Sequence, residues 1–281
     1  MPRTLSLLAD GFAFLEGPRW HDGKLWVSDM HDDRVLTVDL AGDRETVVEV
    51  PGQPSGLGWL PDGRLLVVSM TDRRLLRLDA TGLSVVADLS GVATFHCNDM
   101  VVDAHGRAYI GNFGYDFESC MAPRSATLAL VLPDGSVHAA AYDLAFPNGA
   151  VLTPDGRMLI VAESFGMRLT AFDVAPDGRL GGRRLWAQLE GAVPDGICLD
   201  AEGAVWVASP LSKEVLRVRA GGQVVERIAT ATQAIACMLG GLERRTLFVL
   251  TAQSIRRDDC RDQRNARIEV TEVDVPGAGW P

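Results

Sequence analysis

One pattern returns six times along this chain of 281 residues, and it restricts the fold more than any other feature. A short apolar strand runs into a glycine-bearing turn, and a second apolar strand follows. The copies are "EGPRWHDGKLWVSD" from Glu16, "SGLGWLPDGRLLVVS" from Ser55, "NDMVVDAHGRAYIGN" from Asn98, "NGAVLTPDGRMLIVAES" from Asn148, "DGICLDAEGAVWVAS" from Asp195 and the looser "ACMLGGLERRTLFVLTA" from Ala236. They start roughly 40 to 50 residues apart, the length of one four-stranded propeller blade. Helical periodicity is nearly absent, and short strands alternate with turn signals throughout. The expected fold is all-β: a six-bladed β-propeller with a central channel, one four-stranded antiparallel sheet per blade, and residues 1–281 as a single domain. "LALVLPDGSVHAAA" and "LTAFDVAPDGRL" read as outer strands of blades 3 and 4. The N-terminal "TLSLLAD" and the C-terminal "RIEVTEVDV" are expected to complete one blade together, because an open ring would leave sheet edges unpaired.

The repeat also sorts the five Pro-Asp-Gly tripeptides. Those at 61–63 and 154–156 fall on the turn between the first two strands of a blade, and those at 133–135 and 176–178 fall in outer hairpins. Pro194–Gly196 is out of phase with all four. It sits where the innermost strand of a blade begins, in phase with "FPNG" and its Asn148. The same phase around the ring reads Glu16, Ser55, Asn98, Asn148, Asp195 and Ala236. Pseudo-symmetry puts these positions at one depth around one axis. Two carboxylates and two amides then face a common point, a hard-oxygen set that suits Ca²⁺, Mg²⁺ or Mn²⁺. Ser55 and Ala236 are small and are expected to leave the channel open.

Composition narrows the partners. The net charge of −10 leaves no basic face for nucleic acid or anionic membranes. Apolar runs such as "LALVL" are too short to span a bilayer, and the N-terminal stretch reads as a strand rather than a signal peptide. The five cysteines (Cys97, Cys120, Cys198, Cys237 and Cys260) are scattered, without Cys-x-x-Cys. They read as buried free thiols in a reducing compartment, hence a cytoplasmic protein. Cys237, one residue past the ring phase, reads as core packing. No Gly-x-Ser-x-Gly elbow and no phosphate-binding glycine loop occurs. "HDDR" at 31–34 is expected to be an exposed hairpin tip, and "RRDDCRDQR" at 256–264 a solvated loop.

The stretches "LEGPRW" at 15–20, "CNDMVVDAHGRAYIGN" at 97–112, "FPNGAVLTPDGRMLIVAES" at 146–164, "PDGICLDAEGAVWVAS" at 194–209 and "ACMLGG" at 236–241 together carry a family likeness. Over nearly its whole length the chain resembles the gluconolactonase family, also named for the senescence marker protein (regucalcin) and the luciferin-regenerating enzyme. The resemblance implies a six-bladed propeller with one catalytic divalent metal in the central channel. The family's metal-binding Glu, Asn and Asp fall on Glu16, Asn148 and Asp195, and that Asp is also its proton acceptor and donor. A family Asn that contacts substrate near the metal falls on Asn98. The diisopropyl fluorophosphatase type is similar and uses a comparable Glu, Asn, Asn and Asp set.

One departure bears on substrate. Sugar-lactone members carry Arg two residues before the Asn98 equivalent, where this chain has His96, and their substrate-contacting Glu aligns with Asp116. His offers fewer donors than the fixed fork of Arg. Phe95, Phe113, Tyr115 and Phe117 surround these positions in sequence. A less hydroxylated lactone, or another ester, is the expected substrate. The expected function is metal-dependent lactone hydrolysis, with Asp195 as general base and metal ligands Glu16, Asn98, Asn148 and Asp195. His96, Asn98 and Asp116 would orient the substrate. The expected cofactor is one divalent ion: Ca²⁺ first, then Mg²⁺, Mn²⁺, Zn²⁺ or Fe²⁺. The alternatives are a phosphotriesterase-like hydrolase on the same scaffold and a non-catalytic metal-binding propeller. The protein is expected to be a monomer or weak oligomer with a small-molecule partner.

Overall fold

The computed structural model describes residues 3–117, 119 and 121–279. Among them, six four-stranded antiparallel sheets follow one another in chain order and form a six-bladed β-propeller. The inner strands of blades 1 to 6 are Leu15–His21, Pro54–Trp59, Cys97–Val102, Pro147–Leu152, Ile197–Leu199 and Gln233–Gly240. Closure is as expected. Ser6–Phe12 adds the outermost strand of blade 6 by pairing antiparallel with Ala266–Glu272, from Ser6 opposite Val270 to Phe12 opposite Ala266. The hairpins assigned to blades 3 and 4 are their outer strands.

Burial falls from the axis outward. The second strands Leu65–Ser69, Ala108–Asn112 and Val205–Ser209 are buried at every residue, because a blade lies against each face. A strand covered on both faces reads as an unbroken apolar run. The outer strand Arg44–Glu49 is mostly exposed. Core clusters occupy the seams between neighbouring blades: Val35 with Leu57 and Val67, Leu66 with Met100 and Ile110, Tyr109 with Leu159, Ile160 with Val205, and Trp206 with Phe248 and Leu25. Each blade thus covers its neighbour's apolar face, and the ring is held mainly by this burial.

At the axis the constraint is closeness. In four blades a glycine follows the ring-phase residue: Gly17, Gly56, Gly149 and Gly196. Each backs onto the next inner strand. A Cβ on Gly149 would stand 2.7 Å from the Asp195 carbonyl oxygen, and one on Gly196 would stand 2.3 Å from the Ala236 Cβ. The inner strands of blades 1, 2, 3, 4 and 6 also break register at this point, between Glu16 and Arg19, Pro54 and Leu57, Cys97 and Met100, Pro147 and Ala150, and Ala234 and Ala236. Such bulges re-aim side chains at strand ends.

Two expectations need correction. "HDDR" is not an exposed tip. Met30–Asp32 forms a 3-10 turn, and His31 is buried against the Phe14 ring at 5.0 Å. Nor is 256–264 a solvated loop: Arg257–Gln263 is an α-helix, α1, with Cys260 buried. The two segments explain each other, since Arg257 pairs with Asp33 and Arg264 with Asp32. Cys97, Cys198, Cys237 and Cys260 are buried free thiols, and Cys120 lies outside the described residues. Cys237 packs with its sulfur 4.0 Å from that of Cys198. No helix among the described residues is long and apolar enough to cross a membrane.

Gly149→Ala is expected to lower unfolding stability by about 1–3 kcal/mol, the usual effect of inserting a methyl where backbone must move. Urea denaturation measures it. A change under about 0.5 kcal/mol would show that the ring tolerates looser contact at this seam.

Candidate active site

All six residues singled out in the sequence meet in one place. Glu16, His96, Asn98, Asp116, Asn148 and Asp195 line a single cavity of about 450 Å³ at one mouth of the channel. Ser55 and Ala236 do not border it. They are 1% and 0% exposed, buried behind the lining, so they do not widen the channel as expected. A larger groove of about 670 Å³ opens among the outer turns of blades 3 and 4 and contains none of the ring-phase residues.

The floor is polar, buried and unsatisfied. Asn148 Oδ1 and Asp195 Oδ1 are buried without a hydrogen-bond partner, as is Ser55 Oγ behind the lining. A fully buried acceptor left unpaired is costly, so two in one floor call for a common partner. Glu16 accepts only from the amide of Gly17, at 3.3 Å through Oε2, among the hydrogen bonds of the described residues. Asn148 donates to Ser164 Oγ at 3.3 Å, which turns its carbonyl oxygen away from that bond. Asn98 Nδ2 donates to the Pro147 carbonyl at 3.4 Å, tying blade 3 to blade 4.

The electrostatics agree. Burial pushes the Asp195 carboxyl up to about 8, with the Asp99 charge adding and the Asn148 amide opposing. Burial and the neighbouring charges of Asp195 and Asp99 raise Glu16 well above the usual carboxylate range. Two carboxylates facing one another out of water favour protons, or a cation, between them. Among the described residues no three His, Cys, Asp or Glu side chains are placed to hold a metal ion together, so the Asn98 and Asn148 amides would have to complete any cation site. Two carboxylates and two amide oxygens are a donor set for a hard divalent ion.

Beneath the floor lies a feature the sequence reading missed. Arg19, three residues past Glu16, reaches from blade 1 past blade 2 to blade 3. Its guanidinium donates to Asp99 Oδ1 at 2.8 Å, to the Met100 carbonyl, and to the Pro18 carbonyl at 2.8 Å. Both partners are almost fully buried. Beside Arg19 lies a void of about 10 Å³ lined by blades 4, 5 and 6. The pair ties blade 1 to blade 3 close to the ring-phase residues. The available signal was that blade 3 has Asp99 where four other blades have the close-approach glycine.

The walls follow the repeat as well. Two residues before the ring phase stand Phe14, Gln53, His96, Phe146 and Val193, and all five line the cavity. These five lie in the segments that enter the inner strands, just before Leu15, Pro54, Cys97, Pro147 and Ile197. One residue past the second strands of blades 1 to 5 come Met30, Met70, Phe113, Ser164 and Pro210, a further set of lining residues. His96 stacks on Phe95 at 4.0 Å and lies edge-on to Phe113 at 6.0 Å. Desolvation lowers its pKa. Asp116 is held in its own turn, accepting from the Ser119 amide at 3.1 Å and its hydroxyl at 2.6 Å.

Replacing Arg19 by Met is expected to lower stability by about 3–5 kcal/mol, because Asp99 is left charged and buried without its partner. Adding Asp99→Leu to Arg19→Met should restore most of that loss. Urea titration of the two variants separates charge pairing from simple packing: if the double variant is no more stable than the single one, the pairing account fails.

The family described as the SMP-30/Gluconolactonase/LRE-like region matches residues 14–253. Regucalcin from Gallus gallus is 24% identical over 253 residues, covering 87% of this chain and 85% of its own. A 6-deoxy-6-sulfogluconolactonase from Pseudomonas putida is 25% identical over 278 residues, covering 95% and 93%. The crystal structure of a calcium-binding regucalcin from Agrobacterium tumefaciens superposes with a TM-score of 0.82 at 22% identity, over 100% of this chain and 97% of that one. On the extent of the family match, the chain belongs to the SMP-30/gluconolactonase/luciferin-regenerating-enzyme-like family.

Proposed function

We propose that the protein is a metal-dependent lactonase. The observation that carries this is the floor: Glu16, Asn98, Asn148 and Asp195 border one cavity, and two of their oxygens are buried without a partner. The four side chains would hold one divalent cation, with Ca²⁺ favoured by the all-oxygen donors and by the calcium-binding description of the related regucalcin. When bound, the ion supplies Lewis acidity toward the lactone carbonyl and toward water.

The chain's own residues do the rest. Asp195 takes the proton of the attacking water and returns it to the ring oxygen as the C–O bond breaks. Its position immediately before an inner strand fixes it. Its backbone N–H donates to Ala208 at 2.9 Å and its carbonyl accepts from Gly149 at 3.2 Å. Asn98, anchored through its amide to Pro147, orients the lactone against the floor. His96 and Asp116 flank the substrate, His96 as a flat ring and Asp116 as a fixed acceptor. The buried Arg19–Asp99 pair ties blade 1 to blade 3 next to Asn98.

Hydrolysis of a panel of lactones, followed by pH indicator, tests this. Chelator should abolish turnover and Ca²⁺, Mg²⁺ or Mn²⁺ restore it. Asp195→Asn should lower kcat by at least about 100-fold, in the range of a lost general base. Turnover of an activated phosphotriester above that of every lactone would favour the phosphotriesterase reading instead.

A thermal readout is independent of activity. The divalent cation is expected to raise the melting temperature of the chelator-treated protein, since it binds the folded state only. Asp195→Asn should melt higher than wild type without cation, because one of two facing carboxylates is gone, and should gain little from added cation. Equal cation-induced shifts in both proteins would remove Asp195 from the ligand set.

A further inference from the structure

Above its polar floor the cavity is aromatic. Phe113 stacks on Phe146 with ring centroids 4.6 Å apart and planes 17° from parallel. Phe117 meets both edge-on, at 5.7 Å and 5.6 Å. Phe165 lies 4.6 Å from Phe146, and the stacked Phe95–His96 pair extends the wall on the other side of Phe113. These rings come from the loops of blades 3 and 4. Large apolar side chains at the rim are left in water: Phe165 is 50% exposed, Leu211 on blade 5 is 75% exposed, and Ile255 on blade 6 is 41% exposed. Phe146 is held at φ +62, a left-handed conformation that a bulky aromatic rarely adopts, immediately before Pro147 and Asn148. A small residue would take that backbone with less strain.

Several groups that could read sugar hydroxyls already hold partners within the protein. Asp116 accepts twice from Ser119. His31 bridges the Ile255 carbonyl and the Gln53 amide, each at 3.0 Å. Ser164 Oγ donates to the Pro194 carbonyl at 2.7 Å, and Gln233 donates to the Gln253 carbonyl at 3.1 Å. Arg257 is the one arginine among the described lining residues, which include no lysine, and its charge is balanced by Asp33. A polyhydroxylated ring would lose water here and find few partners, which is costly. An apolar ring substituent would lose only unfavourable hydration.

Building on the lactonase reading, we infer that the substrate is a neutral lactone bearing an apolar substituent, an aryl ring or a short alkyl chain. The lactone carbonyl faces the floor, and the substituent lies between Phe146 and Phe165 on one side and the Leu211 and Ile255 rim. Phe113, Phe146 and Phe165 set specificity.

The test uses the cation-loaded enzyme and four substrates: glucono-δ-lactone, δ-valerolactone, δ-nonalactone and dihydrocoumarin. The alkyl and aryl lactones are expected to exceed δ-valerolactone in kcat/KM by at least about tenfold, the size of one well-buried apolar group. Glucono-δ-lactone should be the poorest. Phe146→Ala and Phe165→Ala should each bring the ratio of δ-nonalactone to δ-valerolactone toward one, mainly through KM. That ratio is taken within one sample and does not depend on the folded fraction. Calorimetric binding of 3,4-dihydro-2-quinolinone, the lactam counterpart of dihydrocoumarin, is the readout without turnover; it should bind, and more weakly to Phe146→Ala. Lactam binding without hydrolysis of any lactone would sink the lactonase reading and leave the apolar pocket standing. Glucono-δ-lactone as best substrate, with no lactam binding, would overturn the pocket assignment and leave the lactonase standing.

Discussion

Six inner strands can meet around one axis only if their backbones nearly touch. Gly17, Gly56, Gly149 and Gly196 supply that contact, each facing the next blade at a distance no Cβ would allow. The rest of the site depends on it. Close strands bring the ring-phase side chains to one cavity floor, and the register breaks beside them aim those side chains inward. The same closeness excludes water, so the carboxylates and amides of the floor meet in a medium where charge is expensive.

The floor therefore stands in tension with the fold. Seams of Leu, Val, Ile and aromatic residues stabilise the ring, while Glu16, Asp99 and Asp195 gather negative charge at its centre. Only Asp99 has a buried cation of its own, Arg19. Sites built for chemistry commonly retain such destabilising groupings, because a preorganised charged floor needs little rearrangement when its ligand arrives. The contrast with the walls is equally physical. Several polar groups on the walls are held by neighbouring loops, and much of the surface left to meet a ligand is aromatic.

Much of this was legible in the sequence. The spacing of the copies showed the blades, and one phase position picked out Glu16, Asn98, Asn148 and Asp195 together. The wall also keeps the phase of the repeat, two residues earlier, as Phe14, Gln53, His96, Phe146 and Val193; these positions precede the strands, so alternation does not predict where they point. The short helix Arg257–Gln263 and the buried turn at His31 were not legible. Each depends on charge partners more than 220 residues away in the chain, and a lone run of Arg and Asp carries no sign of which ions will face it.

Sequence alone determined the architecture and the depth of each ring residue. A residue's height along the axis follows from its own strand and turn, and those are local. Tertiary structure alone decided what shares that depth productively. Arg19 finds Asp99, 80 residues on, because blade 2 offers only glycine between them at the axis. Ser55 and Ala236 withdraw behind the floor while Asn148 and Asp195 keep unpaired oxygens in it. Which side chains meet across a channel is set by how tightly six separate sheets pack around it. No single blade's sequence carries that distance.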